Sequence, residues 1–232
     1  MTKEEILEKL KDDQHYYGPF GKNFLSNSDI YSLLNDPLSF RCERAISTPF
    51  LIGGYFHTCI LEPDKIDKYK VIDASNRNTK IYKEESNGEL TLLQHEVDKI
   101  LVMRDKILSD VNCKELIRDG NVEYEIPGIT YLEDHQWKGK ADILNHTRKL
   151  IVDLKTTADI SQFKTSADKY NYDSQAYIYR NLFGYDVIFI AIDKKSHKIC
   201  IFDCSEEFYE RGKEKVALAI EEYKLIKSNS NQ

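Results

Sequence analysis

The segment WKGKADILNHTRKLIVDLKTT, residues 137–157, constrains this chain more than any other. It sets Asp142, Asp153 and Lys155 among Ile, Leu and Val. Segments of that composition favour strands with one or both faces buried. Ionised groups are rare in such places unless paired or holding a metal. Side chains alternate along a strand, so Asp153 and Lys155 share one face while Val152 and Leu154 point into an apolar layer. The polar stretch NHTRK supplies a turn. An antiparallel hairpin centred between Thr147 and Arg148 brings Asp142 beside Asp153, with Lys155 near. Adjacent carboxylates repel and raise each other's pKa. A divalent cation relieves that repulsion, and oxygen ligands suit Mg²⁺ or Mn²⁺. A lysine beside such a site suits a phosphodiester, where negative charge builds up in the transition state. Taken alone, D-x-K reads as a surface salt bridge on a solvent-facing strand; Asp142 eleven residues upstream, the hairpin between them and the helix YDSQAYIY afterwards reverse that reading.

The remaining pattern frames this hairpin. Residues 3–11 read as a short helix. Ser26 or Ser28 caps a second, which stops at Asp36-Pro37. Residues 50–61 are almost wholly apolar and read as a buried helix whose lone ionisable group is His57. Residues 64–83 look irregular, with one or two short strands. Leu93, Val97, Ile100, Leu101, Ile107 and Leu108 mark a long amphipathic helix, which NCKELIRDG continues or follows with another turn, stopping at Gly120. Then come NVEYEIPGITYLE, QWKGKADILN and KLIVDLKTT, three strands of an antiparallel meander. A helix ending at Gly184 follows, then strands YDVIFIAID and HKICIFDCS, a helix over 206–227 and a tail SNSNQ. The order predicts an α+β (mixed α/β) fold, a central mixed sheet flanked by helices. We expect a single domain over 1–232, helical to about 118 and sheet-centred from about 119 to 227.

Charge and cysteine content set further bounds. The 232 residues carry 33 basic and 39 acidic side chains, a net charge of −6. That disfavours a protein coated by nucleic acid but not one gripping DNA in a local groove. Residues 64–83 hold six Lys/Arg against three Asp, a local excess that also suits a solvated loop face. No run of 18 apolar residues and no signal-like segment is present, so a cytoplasmic location is expected. Cys42, Cys59, Cys113, Cys200 and Cys204 are odd in number and irregularly spaced, and read as reduced. Metal ligation by Cys200 and Cys204 is the lesser alternative.

With these residues in view, the chain resembles the PD-(D/E)xK nuclease superfamily, with Asp142 in KADI and Asp153 and Lys155 in DLK. Ala141 stands where the motif has Pro, a departure in turn geometry rather than chemistry. The finer resemblance is to the RecB/RecE-like and lambda-exonuclease-like branch. LSNSDIYSLLNDPLSF, GGYFHTCILEP, NRNTKIYKE and YNYDSQAYIY look like its further motifs, over roughly residues 25–183. That resemblance implies a restriction-endonuclease-like core and a Mg²⁺-dependent exonuclease, with Mn²⁺ substituting. It would hydrolyse one strand of linear duplex DNA from a 5′ end to 5′-phosphate products, for recombination by single-strand annealing. His57, Asp142, Asp153 and the Leu154 carbonyl would hold metal. Lys155 would orient or deprotonate the attacking water. Glu123 or Glu125 would add a carboxylate, Glu123 preferred. Gln175 and Tyr179 would contact water or phosphate, and Arg77, Lys80 and Lys140 would touch DNA. A homo-oligomeric ring, an annealing-protein partner, no iron–sulfur cluster and a host-cytoplasm location for a phage product are the remaining expectations. An endonuclease of the same fold, for restriction or junction resolution, and an inactive nucleic-acid-binding protein are the alternatives.

Overall fold

The computed structural model describes residues 1–42 and 45–229. The tail expected at SNSNQ therefore lies in part outside the described residues. Two short helices open the chain, α1 (Lys3–Leu10) and α2 (Asp13–Tyr17). Sequence reading placed only the first. Helix α3 (Asn27–Asn35) starts at Ser26, whose backbone N–H and hydroxyl both donate to Asp29 at 2.9 and 3.1 Å. It ends at Asp36 before Pro37, as expected of a residue held out of the helical region by the following proline. Helix α4 (Thr48–Leu61) carries His57.

The segment expected to be irregular is more ordered than its composition suggests. It holds a 3₁₀ stretch (Pro63–Lys68), strand β1 (Val71–Ile72) and helix α5 (Lys80–Ser86). Thr79 caps α5 by accepting from the Tyr82 N–H. Strand β2 (Leu92–Leu93) pairs parallel to β1. The long helix is two helices, α6 (Gln94–Ser109) and α7 (Val111–Arg118). The break falls at Asp110, which accepts from the Cys113 N–H at 3.0 Å and so starts a new helix.

The main sheet has the order β3–β4–β5–β6–β7. Strands β3 (Val122–Leu132), β4 (His135–Asn145) and β5 (Leu150–Thr157) form the antiparallel meander read from the sequence. Helices α8 (Phe163–Lys169) and α9 (Tyr172–Phe183) then lead to β6 (Asp186–Asp193), which runs parallel to β5. Gly184 closes α9 at φ +75°, a conformation that glycine adopts at no steric cost. Strand β7 (Ile199–Asp203) returns antiparallel, and α10 (Glu206–Asn229) packs along α9 and α3.

The sheet separates two apolar layers. One face packs on α3, α9 and α10 through Leu33, Ile178, Phe189 and Val216. The other packs on α4, α6 and α7 through Phe56, Ile100, Val152 and Leu154. Val152 and Leu154 are thus in the layer assigned to them. No described helix is long and apolar enough to cross a membrane.

Candidate active site

The site forms where the sheet is broken on purpose. The β3–β4 register is the same on both sides of one position, with Tyr124 opposite Ile143 and Ile126 opposite Ala141. The two residues between, Glu125 and Asp142, drop out of the ladder. Glu125 has φ +53°, the left-handed region. Residues two apart on a regular strand share a face. Here Tyr124 and Ile143 pack toward α4 and α6, whereas Ile126 and Ala141 pack toward α9 and α10. The kink swaps the layers and leaves two carboxylates side by side at the seam.

The β4–β5 register is the one the turn predicts. Ile143 pairs with Val152 and Asn145 with Leu150 across a turn at 146–149. The ladder stops one step short of Asp142 and Asp153. Asp142 Oδ2 instead accepts from the Leu154 N–H at 2.8 Å. It also lies 3.0 Å from His57 Nε2, and the same nitrogen lies 2.9 Å from the Leu154 carbonyl. His57 Nδ1 lies 2.8 Å from the Gly53 carbonyl, one turn earlier on α4. Both ring nitrogens therefore face acceptors, which only the imidazolium can satisfy. Burial alone would lower the His57 pKa, but the Asp142 carboxylate lifts it to about 9. Burial likewise opposes ionisation of Asp142, and His57 outweighs it, holding that carboxyl below its ordinary value.

Asp153 and Lys155 occupy the opposite face, toward α9. Lys155 Nζ lies 2.5 Å from Asp153 Oδ1, with the Asp153 side chain only 2% exposed. This is a buried pair rather than a surface salt bridge. Gln175 Nε2 donates to the other oxygen, Oδ2, at 2.5 Å. Burial pushes the Asp153 carboxyl up to about 6, against the pull of Lys155 and with the push of Asp142. Burial disfavours the Lys155 cation, but Asp153 raises its pKa. Tyr172 lies under the ammonium, 4.7 Å from Nζ to the ring centroid, and Phe189 lies at 5.6 Å. Tyr172 belongs to the Y…Q…Y motif read in YNYDSQAYIY, but nothing in the sequence pointed to its place under Lys155 or to Phe189.

The structure brings together His57, Asp142, Asp153, Leu154, Lys155 and Gln175, and separates them from several other expected members. The preference for Glu123 is reversed. Its carboxylate is exposed and lies 2.6 Å from His146 Nε2, near the hairpin turn. Glu125 faces the seam instead, its carboxyl pushed up to about 7 by burial and by Asp142, against Lys140 and His57. Arg77 is not free for DNA. Its two terminal nitrogens hold the Glu96 carboxylate at 2.8 and 2.7 Å and pin the loop to α6. Lys140 is likewise engaged, 2.6 Å from Asp13 and stacked over Tyr16. Tyr179 is buried, and its hydroxyl donates to the Lys140 carbonyl at 3.0 Å, so it fixes β4 to α9. Lys80 is exposed at the start of α5, 3.6 Å from Glu84.

No three His, Cys, Asp or Glu side chains among the described residues converge as a ready-made metal cluster. Asp153 is turned to Lys155, so the converging donors are two side chains and a main-chain carbonyl. Their chemistry nevertheless fits a divalent cation. The imidazolium N–H of His57 places positive charge between a carboxylate oxygen and a carbonyl oxygen. Gly53 orients the ring from its far nitrogen, the usual support for a metal-ligating histidine.

Sheet order, seam and the D…DxK set define a protein of the PD-(D/E)xK nuclease fold. Residues 37–232 match a family model described as a PDDEXK-like domain of unknown function (DUF3799), and the chain belongs to that family. The fold is similar to that of a solved "Putative exonuclease" from Eubacterium rectale, with TM-score 0.64 and 16% identity over 91% of this chain and 87% of that one. A phage-related exonuclease from Haemophilus somnus 129PT aligns at TM-score 0.40 and 16% identity, over 89% and 96% of the two chains. No curated protein matches.

Proposed function

We propose that this protein is a divalent-metal-dependent deoxyribonuclease that degrades one strand of linear duplex DNA from a 5′ end, leaving 5′-phosphate products. The observation that carries the reading is the buried Asp153–Lys155 pair set beside His57, Asp142 and the Leu154 carbonyl. His57, Asp142 and the Leu154 carbonyl would hold the metal, Mg²⁺ with Mn²⁺ as substitute, and Glu125 would add a further carboxylate. Asp153, expected from the sequence as a ligand, is turned to Lys155 and would join only by releasing it. A cation there supplies a water of lowered pKa and neutralises developing phosphate charge. Lys155, held protonated by Asp153, serves as a cationic donor that orients the water and offsets charge on the phosphate. Gln175 fixes the Asp153 carboxylate. Exonuclease mode draws on the name of the solved Eubacterium rectale protein and on the motif resemblance, and the 5′ polarity, the ring and an annealing-protein partner rest on the motif resemblance alone.

The test is incubation with Mg²⁺ of covalently closed circular DNA beside linear duplex labelled at either end. Release of label from 5′ ends with the circle intact supports the proposal. Cutting of the circle would establish an endonuclease of this fold instead, and no cleavage with Mg²⁺ or Mn²⁺ would favour a binding protein.

A further inference from the structure

An aromatic ladder climbs from the sheet to the surface beside Lys155. Phe189 on β6 stacks against Tyr172, with centroids 5.3 Å apart and planes at 27°. Tyr172 then meets Tyr170 at 6.1 Å and 33°. Tyr170 is 57% exposed. Exposed tyrosines are common, but this one is held on a fixed backbone. Its N–H donates to the Ser166 carbonyl at 2.9 Å. The next residue, Asn171, is buried with φ +57°. The Asn171 carbonyl accepts from Asn27 Nδ2, Ser174 Oγ and the Gln175 N–H at 3.2, 3.0 and 3.1 Å. The loop is therefore tied to α3 and to the first turn of α9, the turn that also delivers Gln175 to Asp153.

From this geometry we infer that Tyr170 is a stacking platform for an unpaired nucleobase next to the scissile phosphate. The inference rests on the nuclease reading and deepens it, because it makes the reacting end of the strand single-stranded at the site. Aromatic faces take any base, since every base has a π-face. Tyr172 neighbours both Tyr170 and the Lys155 ammonium. A base on Tyr170 would thus sit one ring beyond the ring that underlies Lys155. Lys169, 5.6 Å from the Tyr170 centroid and exposed, is a long side chain that can give way to a base and meet its phosphate.

The experiment uses the full chain and a short single strand carrying 2-aminopurine at its end, titrated in EDTA so that no cleavage occurs. Wild type and Tyr170→Phe are expected to quench the probe on binding. Tyr170→Ala is expected to lose the quench and raise Kd about 5- to 150-fold, the range for one base–aromatic stack. In cleavage with Mg²⁺, Tyr170→Ala should raise KM with little change in kcat. Equal Kd and equal quench for wild type and Tyr170→Ala would overturn the platform while leaving the nuclease reading standing. A wild-type chain that neither binds the strand nor cleaves any DNA would overturn both. Thermal melts of Tyr170→Ala are expected to match wild type, since the side chain is exposed.

Discussion

At the residue scale, the site holds two carboxyl groups that burial keeps from ionising easily, Glu125 at the seam and Asp153 beside Lys155. Glu125 has an ordinary value of 4.5 and is pushed up to about 7 by burial and Asp142. A raised folded-state pKa contributes stability that is full below the unfolded value and lost as pH rises through the folded one. Metal-free protein should therefore lose stability between about pH 4.5 and 7 relative to Glu125→Gln. The variant should melt higher at pH 8, by roughly 1–3 kcal/mol, and equal melts in EDTA would contradict this. Lys155→Ala should lower cleavage about 10²- to 10⁴-fold. It should also cost about 3 kcal/mol, since it strands Asp153 without a partner. The double variant Asp153→Ala, Lys155→Ala should recover most of that stability and none of the activity. Register and pairing of the motif were legible because strand alternation and a polar turn fix them. The exchange of Glu123 for Glu125 was not. A glutamate in the left-handed region has no local sequence signal and persists only because the surrounding sheet imposes it.

At the element scale, the site depends on how closely α9 lies on β4. A Cβ added at Gly139 would meet Leu182 Cδ1 at 2.5 Å and Tyr179 Cε1 at 2.7 Å. Gly139→Ala should thus lift α9 from the sheet, cost about 1–3 kcal/mol, and reduce cleavage by moving Gln175 away from Asp153. Unchanged melts and unchanged rates would show that the helix can give way. The sheet and the long helices were read from periodicity or, for α4 and β5, from continuous apolar runs. The helices α2, α5 and α8, of five to seven residues, were not. A segment so short spans too few turns for a 3.6-residue period to show.

For the whole molecule, an acidic chain is expected to meet a polyanion, and the structure covers two of the cations nearest the site. Asp13 and Tyr16 of α2 cover Lys140 and Lys138 on β4, with Lys138 over the Tyr16 ring at 4.0 Å. This cover joins residues more than a hundred positions apart, so nothing in the local sequence announced it. It also lies outside the stretch matched by the family model, which begins at residue 37. Asp13→Asn should release Lys140 to phosphate, tighten DNA binding at low salt, and steepen the plot of log K against log salt by about one unit. An unchanged slope would mean that Lys140 makes no phosphate contact. The central claim is that the kinked seam is a metal-dependent hydrolytic centre. Anomalous scattering from crystals soaked in Mn²⁺ tests it most directly. The account predicts one strong peak bounded by His57 Nε2, an Asp142 oxygen and the Leu154 carbonyl, lost in Asp142→Asn together with DNA cleavage. A peak elsewhere, or cleavage that persists in EDTA with this site bare, would contradict it.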